Sequence, residues 1–154
     1  MKEGQHKPFS IGEEYAEIPA GCLLSDNKTL ITGHQNGYVV KWNLDNPKPV
    51  IIHRTSSVVY SIIQLNDGDI YVGCKAGDLY RIFGSDLSQK DLLCEPTGAV
   101  HDRVFRIADL LDGSILTSST YGSLSIFTKP NGTWQRTNVK GHTDAVFAIS
   151  KVED

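Results

Sequence analysis

Apolar residues along this chain come in short runs that alternate with polar ones, and turn-forming residues separate the runs. Alternation at a period of two puts successive side chains on opposite faces of a strand, so the pattern reads as half-buried β-structure. Nowhere does the i, i+3, i+4 spacing of an amphipathic helix persist. Strands are predicted near residues 22–24, 29–33, 38–42, 50–53, 59–65, 70–74, 79–83, 92–94, 104–110, 115–118, 124–128, 134–139 and 145–150. The punctuation between them is local turn chemistry: Asp26-Asn27, Asn36-Gly37, Asp45-Asn46-Pro47, Asn66-Asp67-Gly68, Asp112-Gly113 and Pro130-Asn131-Gly132. Gly and Asn accept the positive φ of tight hairpins, and Pro presets the φ of a turn's second residue. Thirteen short strands without a helix make the chain all-β.

The strands repeat. Segments 30–42, 70–82 and 115–127 align without a gap on Gly37, Gly77 and Gly122, which lie 40 and 45 residues apart. A second block keeps step: Val59-Tyr60-Ser61-Ile62, Val104-Phe105-Arg106-Ile107 and Val146-Phe147-Ala148-Ile149, with isoleucines 45 and 42 apart. Periods of about 40–45 residues built from short strands indicate a β-propeller, with one repeat per four-stranded antiparallel blade. Three complete blades are expected, at about residues 20–54, 58–95 and 103–140, within a single domain spanning 1–154. Further strands at 9–18 and 145–150 would belong to neighbouring blades. The Val/aromatic/Ile block is the inner strand of each blade. The third strand runs into Trp42, Ile82 or Phe127, and the rings of Trp42 and Phe127 are expected to fill the wedge between blades. Three blades and two lone strands do not close a ring. The expectation is the N-terminal part of a propeller of about seven blades, with a composite ring formed by self-association through open blade edges as the alternative.

Composition narrows the setting more than the function. The formal net charge is −3, and basic residues are scattered rather than gathered into a stripe, which speaks against nucleic acid as a partner. The three cysteines, Cys22, Cys74 and Cys94, form no CxxC pair and read as reduced thiols of an intracellular protein. No apolar run is long enough to span a bilayer and the first residues lack a signal peptide's apolar core, so a cytoplasmic or nuclear protein with no membrane partner is expected.

At Lys140-Gly141-His142-Thr143-Asp144-Ala145-Val146 the chain resembles the WD-repeat family, whose repeats carry a Gly-His pair before the inner strand. Residues 33–42, ending in Trp42, are similar to the hairpin and closing tryptophan of the same repeat. The resemblance covers about residues 20–150, with departures: Asn43 follows Trp42 where the family has Asp, and Asn36, Ala76 and Tyr121 stand at the turn aspartate. In that family a His, a Ser/Thr, the Asp and the Trp form a buried hydrogen-bonded chain. Only Thr32 and Trp42 match it in the first repeat, so apolar packing is expected to replace most of the network.

The chain has no Gly-x-Ser-x-Gly elbow, GxxxxGK[ST] loop or HExxH pair. His101-Asp102-Arg103 is read as loop structure rather than an acid–base pair. No catalytic residue, metal site or cofactor is expected. The resemblance implies a non-catalytic scaffold that binds other proteins or peptides on the face formed by the loops entering the inner strands and the turns between the second and third strands. Here that face comprises His34, Gln35, Asn36, Arg54, Thr55, Lys75, Ala76, His101, Arg103, Thr120, Tyr121, His142 and Thr143. Arg and Tyr are the anchors of choice in interface hot spots, and Tyr121 stands out as a bulky ring in a turn. A propeller-type enzyme is the weaker reading, because the inner strands offer Ser61, Arg106 and Ala148 rather than converging carboxylates or histidines.

Overall fold

The computed structural model describes residues 17–96, 103–110 and 112–150. Twelve strands run through it: β1 (Ala20–Leu23), β2 (Thr29–Gly33), β3 (Tyr38–Asn43), β4 (Pro49–Arg54), β5 (Val59–Gln64), β6 (Ile70–Cys74), β7 (Leu79–Ile82), β8 (Lys90–Cys94), β9 (Arg106–Asp109), β10 (Ile115–Ser118), β11 (Ser123–Thr128) and β12 (Gln135–Lys140). They form three four-stranded antiparallel sheets, β1-β2-β3-β4, β5-β6-β7-β8 and β9-β10-β11-β12. Each sheet is an up-and-down meander of the propeller-blade type, and the only helical turn among the described residues is the 3-10 turn Pro130–Gly132.

Burial follows the order of strands. The first strands, β1, β5 and β9, lie side by side. The second strands are the core, β6 being buried at every residue, whereas the fourth strands β4, β8 and β12 are largely exposed. Two apolar clusters fill the seams. Leu24, Ile31 and Val39 of the first blade meet Val59, Ile62, Ile70 and Ile82 of the second. Tyr71 and Leu79 of the second meet Val104, Ile107, Ile115 and Phe127 of the third. Phe127 is 1% exposed and occupies the seam its position in the repeat predicts; Trp42 is buried as well.

Turn chemistry recurs blade by blade. In each first hairpin an aspartate accepts the backbone N–H two residues on: Asp26 from Lys28, Asp67 from Asp69 and Asp112 from Ser114. These bonds hold the Asp26 and Asp112 carboxyls below their usual range, the Lys28 and Ser114 amides being the largest cause.

The joint between blades is a backbone bond. The amide of Val59 donates to the carbonyl of His34 at 3.2 Å, that of Val104 to Cys74 at 3.1 Å, and that of Val146 to Ser119 at 3.1 Å. Beneath it each valine presses on the end of the preceding second strand. A Cβ at Gly33 would sit 2.3 Å from Val59 Cγ1, and one at Gly73 only 2.2 Å from Val104 Cγ1. The third repeat has Ser118 there, and its hydroxyl donates to the Val146 carbonyl at 2.9 Å.

Two expectations need correcting. Residues 145–150 make the joint through Val146 but form no strand, because no strand lies beside them among the described residues to complete a ladder. The first repeat also keeps more of its polar chain than its sequence suggests. Trp42 Nε1–H donates to Thr32 Oγ1 at 2.8 Å, and Thr32 Oγ1 bonds His34 Nε2 at 2.9 Å. A histidine from the turn itself supplies the imidazole that the WD-repeat pattern draws from the loop before the inner strand. The strand expected at 9–18 falls almost wholly outside the described residues.

Candidate functional site

The second-to-third-strand turns and the loops entering β5 and β9 share one end of the three sheets. Gly37 and Gly122 fix how the first and third turns sit there. Gly37 has φ +84° and Gly122 +76°, a region that favours glycine. A Cβ on Gly37 would lie 2.9 Å from the Thr55 carbonyl oxygen, and one on Gly122 2.3 Å from that of His142. The incoming loop therefore lies flat on the turn, and Thr55 N–H closes the contact by donating to the Gly37 carbonyl at 2.8 Å.

This arrangement leaves a depression of about 490 Å³ lined by Gln35, Asn36, Ser56, Ser57, Val58, Lys75, Ala76 and Arg103. A neighbouring hollow of about 380 Å³ continues it inward over Val58 and Lys75 to Glu17, Ile18, Pro19 and Tyr60. Several residues expected on the binding face thus come together: Gln35 and Asn36 from the first blade's turn, Lys75 and Ala76 from the second's, and Arg103 from the loop into β9. Tyr121 joins them at the edge. It is 47% exposed, and the Arg103 guanidinium lies over its ring at 5.9 Å.

Others do not belong. His34 is fully buried, because its side chain turns inward to Thr32 instead of outward with its neighbours Gln35 and Asn36. Thr55 is buried too, its hydroxyl donating to the Gly37 carbonyl at 3.0 Å. Arg54 is exposed, but it lies over its cross-strand partner Tyr38 at 5.1 Å and does not line the depression. His142 and Thr143 are exposed on the loop after β12, also away from its lining. His101 lies outside the described residues. Sequence reasoning missed Ser56, Ser57 and Val58, although they precede Val59 at the point where a loop must cross from one blade to the next.

A polar group lies beneath this surface. Asp78 is fully buried and accepts from Ser56 Oγ at 3.0 Å. Burial, with Asp78 adding to it, pushes the Cys74 thiol and the Tyr80 phenol well above their ordinary ranges. On the outer side His53 is buried, its Nδ1 lying 2.5 Å from Lys90 Nζ and its ring edge-on to Tyr80. Desolvation first, and the Lys90 ammonium second, push the His53 imidazole down to about 4. Cys74 is thereby kept a thiol and His53 neutral near pH 7, so neither is poised as a nucleophile or as an acid. Among the described residues no group of three or more His, Cys, Asp or Glu side chains converges as a metal site requires, and no helix is long and apolar enough to cross a membrane.

The fold that carries this surface is propeller-like, and solved structures share it. The computationally designed Ika4 protein is 16% identical, with 90% of this chain and 81% of that one covered at a TM-score of 0.66. The designed Ika8 protein is 15% identical, with 88% and 40% covered at 0.66. A protein of unknown function from Bacteroides thetaiotaomicron VPI-5482 is 14% identical, with 84% and 37% covered at 0.62. The chain spans about two fifths of the Ika8 and Bacteroides chains. At these identities the likeness is one of fold alone. No protein-family model and no curated protein matches the sequence.

Proposed function

We propose that this chain is a non-catalytic interaction module of WD-repeat type, a scaffold that holds a protein or peptide partner on its turn-and-loop face. The observation that carries the reading is convergence. Gln35, Asn36, Lys75, Ala76 and Arg103, five positions picked from three separate loops, border a single depression of about 490 Å³. The Trp42–Thr32–His34 chain supports the WD-repeat part of the reading. Such a role fits a cytoplasmic or nuclear protein without a cofactor.

Selection of short random displayed peptides against the full chain tests this. Peptides that bind the wild type and lose binding to Ala76→Trp, which places a bulky ring at the depression's lining, are the expected result. A selection whose binders all ignore Ala76→Trp overturns the reading.

A second reading, assembly through an open edge, draws on Phe147. Its ring is 65% exposed on a segment that has the blade-to-blade joint but no ladder. Copies of the chain pairing there would bury it.

A further inference from the structure

Several side-chain oxygens around the depression are already engaged. Asn36 spends its side-chain oxygen on the Tyr38 amide at 3.2 Å, so its NH₂ points away from that bond. Ser57 Oγ accepts from the Ala76 amide at 2.9 Å, and Ser56 Oγ is engaged with Asp78. Two carboxylates lie close by: Asp78 is buried beneath Ser56, and Glu17 in the adjoining hollow accepts from the Gln35 side-chain amide. Two cations line the depression as well. The ion pairs among the described residues are Lys28 with Asp45 and Arg81 with Asp69, so Lys75 and Arg103 have no ion-pair partner among the described residues. Lys75 is exposed, and the Arg103 guanidinium lies over the uncharged ring of Tyr121. Two cations thus share one surface on a chain whose net charge is −3, so their pairing does not follow from general basicity.

The inner end of the same surface is aromatic. Tyr60, Phe105 and Phe147 hold the same place in three successive repeats, and their rings stand edge to face with centroids 5.5 and 5.6 Å apart. Arg106 covers one face of Phe105 at 4.6 Å. Val58, Ala76 and Tyr60 extend apolar surface from the row toward Lys75.

We infer that the partner is a short acidic peptide segment of another protein, its carboxylates meeting Lys75, Arg103 and Asn36 and an apolar side chain lying against Val58 and Tyr60. Carboxylates supply acceptors for these donors, and charge-assisted bonds to Lys and Arg are the stronger kind. Complementary charge also speeds encounter and rejects basic competitors. This inference rests on the peptide-binding reading above but can fail without it.

The test reads the composition of the peptides selected above and then the affinity of one synthetic binder by fluorescence anisotropy. Acidic residues should be enriched beside an aromatic or aliphatic one. Lys75→Glu/Arg103→Glu should weaken binding at least about tenfold, and salt raised well above the physiological range should weaken it as well. Lys75→Gln/Arg103→Gln, with circular dichroism showing retained β-structure, covers the case in which charge reversal disturbs the fold. Basic or uncharged binders that still respond to Ala76→Trp would overturn the acidic-partner inference while leaving the platform intact. Binders insensitive to both Ala76→Trp and the charge variants would overturn both.

Discussion

Replacing Thr32 by valine removes one oxygen and almost no volume. That oxygen accepts from Trp42 Nε1–H at 2.8 Å and bonds His34 Nε2 at 2.9 Å, with Thr32, Trp42 and His34 at 4%, 2% and 0% exposure. Water cannot reach the site to replace it. Taking the acceptor from a buried donor costs about 1–3 kcal/mol, and a second bond is lost with it, so Thr32→Val should destabilise by about 2–4 kcal/mol. That is a large part of the ~5–15 kcal/mol that holds a domain folded. Thr32→Ser makes the opposite change, keeping the hydroxyl and losing a methyl, at about 1 kcal/mol. Urea unfolding followed by circular dichroism compares the two at a shared slope. If Thr32→Ser costs more than Thr32→Val, the methyl matters and the hydroxyl does not, and the polar chain is not a source of stability.

Further expectations follow from single sites. His53 is neutral in the folded state, and its imidazole is held near 4 against an ordinary 6.5, so the unfolded chain binds more protons between those values. Stability should therefore fall as pH drops from about 6.5 to about 4, by up to about 3 kcal/mol, and urea midpoints for His53→Gln should lose that slope. Gly122→Ala must accept both a positive φ and a backbone oxygen at 2.3 Å, whereas Gly113→Ala at φ +81° meets nothing within 4 Å. Thermal melts should show Gly113→Ala costing about 1 kcal/mol and Gly122→Ala clearly more, and equal costs would refute the account of the packed turn. If the exposed Phe147 drives association, light scattering should find species larger than 16.9 kDa that shrink toward it in Phe147→Ser. A wild type that stays at 16.9 kDa on concentration rules out that second reading.

Blade architecture was legible because it is written in local terms. The turn glycines at 37, 77 and 122 and the valines at 59, 104 and 146 recur in step at intervals of 40 to 45 residues, and each marks a hairpin or a seam. Depth was less legible. His34, Gln35 and Asn36 are consecutive polar residues in one turn, yet the first is fully buried and the other two are exposed. Nothing in their order says which way each side chain points. The difference depends on Thr32, two residues back on the adjoining strand, having a spare hydroxyl to meet the imidazole. Residues 145–150 have the composition of a strand, but strand character is a property of a pair, and their neighbour is not in the composition. The depression escaped for a similar reason. It is assembled from loops of three repeats, and Ser56, Ser57 and Val58 join it only once the blades are stacked.

The joint between blades uses the main chain, and that separates geometry from chemistry. Its acceptor is a carbonyl, which every residue has, so position 34, 74 or 119 can hold a His, a Cys or a Ser and still receive the next valine at nearly the same distance. The backbone bond at the joint is thus indifferent to which side chain the accepting residue carries. One seam can house a polar chain, the next a buried thiol beside a carboxylate, without either disturbing the face above. A repeat of this kind can be copied, exchanged or retuned singly, and the surface spanning several repeats inherits the freedom to change one loop at a time.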